Sequence, residues 1–185
     1  MQIEIISGSP RNDSVTHRVA LHLQNLLLER TEHEVAILDL RANDLPPMQD
    51  VFASADAAPE EFKALAKRVF DADAFILVTP EYNGSYAPAM KNLLDHFPKQ
   101  RHKPFGIVTA SPGAFGGMRA AMQLQQLIFA LFGIGSPFML IIPGVDKKFD
   151  SNGTLLDAGF AKNIDLFISE YLWLAEKIVD EKIEV

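Results

Sequence analysis

Residues 3–16 read IEIISGSPRNDSVT, and this stretch contains the transition that decides how the chain folds. The short, largely apolar run at residues 3–6 predicts a buried strand. From Ser14 to about Arg30, apolar residues recur near helical spacing, which predicts a helix. Between the two lies SGSPRNDS, a loop with three hydroxyl side chains, one glycine and one arginine. The stretch therefore indicates a strand–loop–helix unit whose loop is rich in hydrogen-bond donors.

The same alternation of strands and helices continues along the chain. Residues 41–58 contain two prolines and many small residues, which predicts a long loop. Because the apolar runs are continuous, both faces of the predicted sheet should be covered by helices. We expect one α/β domain over residues 1–185, with a doubly wound, five-stranded parallel sheet in the order 2-1-3-4-5. Its strands are predicted at residues 3–6, 34–40, 74–79, 105–110 and 138–142, and its helices at 14–30, 59–70, 87–97, 118–132 and 157–179.

Composition and absent motifs exclude several classes of function. The 185-residue chain carries a net charge of −7, so we expect no nucleic-acid partner and no binding to an anionic membrane. No apolar stretch reaches the ~18 residues that cross a bilayer, and no signal peptide is recognisable. The chain has no cysteine, which excludes disulfides and thiolate ligands and fits a cytoplasmic protein. HExxH and GxSxG patterns are absent, so we expect neither a metal site nor an α/β-hydrolase.

Three unusual loops follow the first, third and fourth predicted strands. They read SGSPRNDS, TPEYNGSYAP and ASPGAFGG. Loops that leave the carboxyl ends of parallel strands meet at one edge of the sheet, where ligands bind at the point at which the strand order reverses. In the order 2-1-3-4-5 the three loops are neighbours, so they predict one shared site.

The first loop has the chemistry of a phosphate site. Ser9, Ser14 and Thr16 offer hydroxyl groups, and the first N–H groups of the following helix have no intrahelical partner. Arg11 adds a full positive charge. An ordinary N-cap at Ser14 and a solvated Arg11 would explain the same residues. Walker A and GxGxxG patterns are absent, so a monophosphate fits better than a pyrophosphate.

The other two loops offer an aromatic face and close-approaching backbone. Asn83-Gly84 is a turn dipeptide, and Tyr82 could present its ring to a ligand or pack as an ordinary core aromatic. Lys91 and Asn92 follow on a helix, where we expect a solvated face. Three glycines in the third loop would let backbone N–H groups approach a ligand, unless this loop is only a flexible linker.

The segments GSPRNDSVT, TPEYNGSYAPAMKNLLDH and KPFGIVTASPGAFGGMRA resemble the signature segments of the NAD(P)H-dependent FMN reductase family. That family includes quinone, chromate and azo-dye reductases, and the resemblance spans about residues 2–142. It implies a flavodoxin-like fold, non-covalently bound FMN, and NADPH or NADH as cosubstrate. It also implies a homodimer or homotetramer, with a contact through the helix after Asn83 at Tyr86, Met90, Leu93 and Leu94.

The resemblance also assigns roles to residues in the three loops. Many members of the family have asparagine at the position of Thr16. Threonine departs from that pattern but is also polar. The implied reaction passes a hydride from the nicotinamide to flavin N5, and then two electrons to a small-molecule acceptor such as a quinone, free flavin, chromate or an azo compound. Since the flavin supplies this chemistry, no catalytic residue is assigned. The implied FMN contacts are Ser9, Arg11, Ser14, Val15 and Thr16 at the phosphate, Pro80, Glu81, Tyr82 and Asn83 along the ring and ribityl chain, and Ser111, Gly113 and Gly116 on the pyrimidine side.

Two other functions are compatible with these residues. A flavodoxin-type electron carrier would bind FMN without a substrate of its own, and the acidity of the chain would suit it. The cationic Arg11 and the PEYN segment favour a reductase instead. A flavin-responsive regulatory protein with little turnover is the third interpretation.

Overall fold

The apolar runs form a parallel sheet at the centre of the chain. The structure, a computed structural model, describes residues 1–181, so residues 182–185 of the predicted domain lie outside the described part. The helices are α1 (Val15–Arg30), α2 (Lys63–Asp71), α3 (Pro88–Asp95), α4 (Met118–Ala130), α5 (Val145–Lys148) and α6 (Ala161–Asp180). The strands are β1 (Gln2–Ser7), β2 (Glu34–Asp39), β3 (Ala74–Thr79), β4 (Glu81–Tyr82), β5 (Ser85–Tyr86), β6 (Pro104–Ser111), β7 (Ile134–Gly135) and β8 (Leu140–Pro143).

The strand order confirms the predicted doubly wound sheet. Strands β2, β1, β3 and β6 lie side by side and parallel, and β7 and β8 both pair with the outer edge of β6. The fifth predicted strand is therefore present, but two short strands, β7 and β8, together occupy its place beside β6. The Ser136 N–H donates to Phe105 O at 2.8 Å. Pro137 follows it and has no N–H to donate, so the hydrogen-bond ladder with β6 is interrupted there.

Helices cover both faces of this sheet. The face that carries Phe75, Leu77 and Ile107 packs against α2, α3 and α4. The face that carries Ile76 and Val108 packs against α1, α5 and α6. All six residues of β3 are buried, which explains why its sequence is continuously apolar rather than alternating. None of the helices within residues 1–181 is long and apolar enough to cross a bilayer.

Helix α3 faces the core, which corrects two expectations. Met90, Leu93 and Leu94 are almost fully buried within the chain, so the prediction that these three side chains contact another subunit is wrong. Asn92 was expected on a solvated face. It instead donates to Leu45 O and Pro46 O and accepts from the backbone N–H of Met48, and so holds the long loop after β2.

The short hairpin of β4 and β5 is fastened to α4. Gly117, the N-cap of α4, is in the left-handed region at φ 91° and has no side chain to cap the helix. Oε2 of Glu81 accepts the N–H groups of Arg119 at 3.0 Å and Ala120 at 3.4 Å, and Oε1 accepts from the Arg119 guanidinium at 3.2 Å. A carboxylate from the second loop thus caps the helix that follows the third.

Helix α6 is amphipathic and carries the single tryptophan of the chain on its outer face. Ile164, Phe167 and Tyr171 point into the core. Trp173 is 61% exposed, so it lies at the surface of the layer opposite α4.

We expect Glu81→Ala to destabilise the fold by about 1–2 kcal/mol, because two N–H groups at the start of α4 lose their acceptor. Glu81→Gln should lose less stability, since its amide oxygen can still accept hydrogen bonds from these N–H groups. Urea unfolding followed by circular dichroism measures both. Glu60→Ala is the control, because its carboxylate is almost fully exposed and bonds only Lys63. Equal stability of Glu81→Ala and the control would contradict the capping role.

Candidate functional site

The three loops lie side by side at the carboxyl edge of the sheet. They leave β1, β3 and β6, which are consecutive neighbours in the sheet. A cavity of about 160 Å³ lies between the loops. It is lined by Ser9, Arg11, Asp13, Ser14, Val15, Thr16, Pro80, Glu81, Tyr82, Ala110, Ser111 and Pro112. The structure therefore brings together nine of the twelve residues that the sequence assigned to the site.

In the first loop, buried hydroxyls surround the start of α1. Ser14 Oγ accepts the His17 N–H at 3.2 Å, and Ser9 Oγ accepts the Arg11 N–H at 3.4 Å. A hydroxyl that accepts in this way keeps its own proton to donate. Ser9, Ser14 and Thr16 are all buried, and the first turn of α1 contains no acidic residue. The positive end of the helix dipole is therefore available to an anion.

Arg11 and Tyr82 join the first and second loops. The Arg11 guanidinium lies over the Tyr82 ring, 4.8 Å from its centroid. The Tyr82 hydroxyl lies 3.5 Å from Ser9 Oγ, at the limit of a hydrogen bond. A cation, an aromatic face and a buried hydroxyl thus share one wall of the cavity.

A network of hydrogen bonds with residues at the end of β2 holds the first loop in place. Ser7 Oγ lies 2.9 Å from His17 Nδ1, and Arg41 donates to Asp39 Oδ2 at 2.6 Å and to Asn12 O at 3.1 Å. Burial, and then the nearby Arg41 charge, lower the pKa of His17, while Asp39 opposes them less strongly. Burial alone would raise the pKa of Asp39, but the hydrogen bonds from Arg41 together with the nearby charges outweigh burial and lower that pKa. The chain after β2 therefore holds the loop through charged hydrogen bonds.

In the second loop, the Asn83-Gly84 turn is confirmed. Both residues have positive φ, 51° and 83°, and they connect β4 to β5. Asn83 lies at the tip of this hairpin and is not among the residues that line the cavity. Pro80 and Tyr82 line it, and Glu81 lines it while its carboxylate caps α4.

In the third loop, only Ser111 of the three assigned residues lines the cavity. Its hydroxyl donates to Gly113 O at 3.4 Å. Gly116, at φ 60°, packs against the backbone of β8, where an added Cβ would lie 2.7 Å from Pro143 N. Glycine at this position is therefore explained by packing of the loop against the sheet.

The sequence interpretation missed some residues of the site. Asp13 was overlooked, although it immediately precedes Ser14, and its carboxylate adds negative charge beside the hydroxyls. Ala110 and Pro112 also line the cavity and flank Ser111 in the sequence. The anchoring pair Asp39 and Arg41 had a readable signal, because an aspartate side chain commonly accepts the backbone N–H two residues on, as Asp39 does from Arg41 at 3.0 Å.

The chemistry of the cavity suits an anion bound beside a flat group. Among residues 1–181, no group of three or more His, Asp or Glu side chains could hold a metal ion. A larger cavity of about 530 Å³ lies at the opposite edge of the sheet, near His102 and Lys177. It has neither a helix N-terminus nor any of the three loops. The donors and the aromatic ring of the smaller cavity fit the phosphate and the adjoining chain of a mononucleotide better.

Known proteins resemble this chain over most of its length. The sequence pattern of the family described as NADPH-dependent FMN reductase matches residues 1–141. A quinone reductase from Pseudomonas putida is 30% identical over 166 residues, 84% of each chain. An FMN-dependent NADPH-azoreductase from Staphylococcus aureus is 30% identical over 178 residues, 90% of each chain. The solved structure of FerB, a flavoenzyme NAD(P)H:(acceptor) oxidoreductase from Paracoccus denitrificans, is 27% identical with a TM-score of 0.79, covering 95% of this chain and 97% of its own. The chain belongs to the NADPH-dependent FMN reductase family.

Proposed function

We propose that this protein is an FMN-containing oxidoreductase that takes reducing equivalents from NADPH or NADH and passes them to a small-molecule acceptor, with a quinone or an azo compound as the first candidates. The observation that carries the proposal is the convergence of three loops around the N-terminus of α1, with buried hydroxyls and Arg11 beside it. Relatives named quinone reductase and azoreductase support the acceptor class. Free flavin and chromate are further acceptors to test.

Nine of the residues proposed to hold FMN line the cavity, and three do not. Serine hydroxyls, the first N–H groups of α1 and Arg11 would bind the phosphate, since each can donate to an anion. The Tyr82 ring would lie against the flat part of the cofactor. The proposed set is Ser9, Arg11, Ser14, Val15, Thr16, Pro80, Glu81, Tyr82, Asn83, Ser111, Gly113 and Gly116. Of these, Asn83, Gly113 and Gly116 would act through backbone position, because they do not line the cavity.

The residues of the chain act by binding and orientation. FMN held by these residues would supply the redox chemistry, namely hydride transfer from the nicotinamide and two-electron reduction of the acceptor. The Asp39–Arg41 pair would hold the first loop in the shape that presents its hydroxyls, through the bond to Asn12 O. Glu81 would hold the hairpin that carries Tyr82 against α4. No side chain is proposed as an acid or a base.

An absorbance experiment tests this function. The purified protein is incubated with FMN, desalted, and mixed without oxygen with NADPH and then NADH. Retained flavin absorbance that bleaches with either donor is the expected result. Retained absorbance that neither donor bleaches would identify a flavodoxin-type carrier. Failure to retain FMN at any protein concentration would refute the proposed cofactor site.

We expect Arg11→Ala to weaken FMN binding by about 1.5–3 kcal/mol, or roughly 10- to 150-fold in Kd, because the phosphate loses a charged hydrogen bond. Fluorescence titration of FMN into the cofactor-free protein measures it. Arg30→Ala is the matched control, since Arg30 lies at the opposite end of α1 and pairs with Asp165. An unchanged Kd for Arg11→Ala would remove Arg11 from the phosphate site.

We expect Asp13→Asn to act in the opposite direction and tighten FMN binding by about 2- to 5-fold, because a carboxylate beside the bound phosphate repels it by about 0.3–1 kcal/mol. The same titration at two salt concentrations measures the change, which should shrink as salt rises. Asp50→Asn, in the exposed part of the long loop, is the control. Weaker binding by Asp13→Asn would show that Asp13 supports the loop instead of repelling the ligand.

A further inference from the structure

One histidine lies beside the first loop but does not line the cavity. His17 belongs to the first turn of α1, and its backbone N–H donates to the N-cap Ser14 at 3.2 Å. Its side chain is only 14% exposed, and Nδ1 lies 2.9 Å from Ser7 Oγ. The ring therefore joins the end of β1 to the start of α1, the two elements between which the first loop runs.

Ser7 is the residue from which the first loop departs. It is the last residue of β1 and is fully buried. Its carbonyl accepts the Leu40 N–H at 3.1 Å, and the N–H of the next residue, Gly8, donates to Val78 O at 2.8 Å. The main chain is thus held from both sides, and the hydroxyl is held by His17. A side chain that fixes Ser7 also fixes the direction in which the loop leaves the sheet.

Two charged groups at the end of β2 act on the His17 ring. Asp39 Oδ2 lies 3.8 Å from Nδ1 and also accepts from the Arg41 guanidinium at 2.6 Å. Burial, followed by the charge of Arg41, lowers the pKa of His17, and Asp39 opposes this to a smaller extent. The ring is therefore neutral at pH 7. On the loop side, Arg11 and Asp13 line the cavity and contribute charges of opposite sign.

A phosphate bound at the start of α1 would favour the protonated ring. A phosphate monoester carries a charge of about −1.5 to −2 at pH 7, and it would lie at the helix turn to which His17 belongs. An opposite charge nearby raises the pKa of a histidine, and by linkage the anion then binds more tightly to the protonated form. Ser7, the neighbour on β1, is uncharged and can donate to a neutral Nδ1 or accept from a protonated one. The ring can therefore gain charge without losing the contact that fixes the loop.

We propose that His17 is a positioning residue of the first loop and that protonation of its ring strengthens the binding of the FMN phosphate. The inference rests on the proposed function, because it concerns the same phosphate site. It adds a dependence on pH that Arg11 cannot supply, since a guanidinium stays charged at every pH at which the protein is folded. The affinity for FMN should therefore rise as the pH falls through the range in which His17 titrates.

Fluorescence titration of FMN into the cofactor-free full chain, from about pH 8 to about pH 5.5, tests the proposal. The phosphate itself takes up a proton near about pH 6, so the wild type is compared with His17→Asn, whose amide lies near the position of Nδ1 and stays uncharged. The ratio of the wild-type Kd to the His17→Asn Kd should fall roughly two- to fivefold over this range. His33→Asn is the matched control and should follow the wild type, because His33 lies beyond the other end of α1 and pairs with Glu176.

The outcomes separate this inference from the proposed function. FMN binding with parallel pH profiles for the wild type and His17→Asn would overturn the inference alone. No FMN binding by the wild type at any pH would refute the cofactor site and the inference with it. Riboflavin, which lacks the phosphate, should give the same pH profile with both proteins. A His17-dependent profile with riboflavin would show that the ring does not act on the phosphate.

An NMR titration of the wild-type protein removes the dependence on how well His17→Asn folds. The imidazole signals of His17, assigned through the backbone, are followed against pH with and without saturating FMN. FMN should raise the pKa of His17, which is the reciprocal of tighter binding to the protonated ring. An unchanged pKa of His17 in the FMN-saturated protein would overturn the proposal.

Discussion

Helices cover both faces of the central sheet, and this burial leaves a ligand only the edges of the sheet to approach. Every residue of β3 is buried, so the chain can present polar groups only where the strands end. Since β1, β3 and β6 are parallel neighbours, their following loops emerge together at one edge. The position of the site is thus a property of the sheet, whereas its preference for an anion comes from the loop residues and from α1.

Two of the helices that begin at this edge, α1 and α4, differ in electrostatics. The start of α4 is matched by the carboxylate of Glu81, which offsets the positive end of its dipole. The first turn of α1 contains no acidic residue, and the positive charge of Arg11 lies beside it, offset in part by the carboxylate of Asp13. An anion is therefore drawn to the first loop. Glu81 also connects the second loop to the third, so one side chain contributes both to the shape of the site and to its charge.

Features that depend on local pattern could be predicted from the sequence, and features that depend on distant contacts could not. The strand at residues 74–79 was predicted to the residue, because an apolar run between Asp73 and Pro80, which stops the strand, is a strong local signal. The apolar side of α3 was also recognisable, but spacing does not say whether a chain's own core or another subunit covers it. Two contacts join segments that are far apart in sequence: Gly116 packs against Pro143, and Arg41 donates to Asn12 O. Neither contact can be recognised from the sequence of one segment alone.

The exposed Trp173 is an intrinsic fluorescence donor for distance measurement. It is the only tryptophan of the chain and lies on the outer side of α6. Tryptophan emission overlaps flavin absorption, so resonance energy transfer from Trp173 to a bound flavin would report one donor–acceptor distance within a chain. Flavin binding can therefore be followed without a label. If subunits associate, energy transfer from Trp173 of one subunit to the flavin of another would report a second donor–acceptor distance.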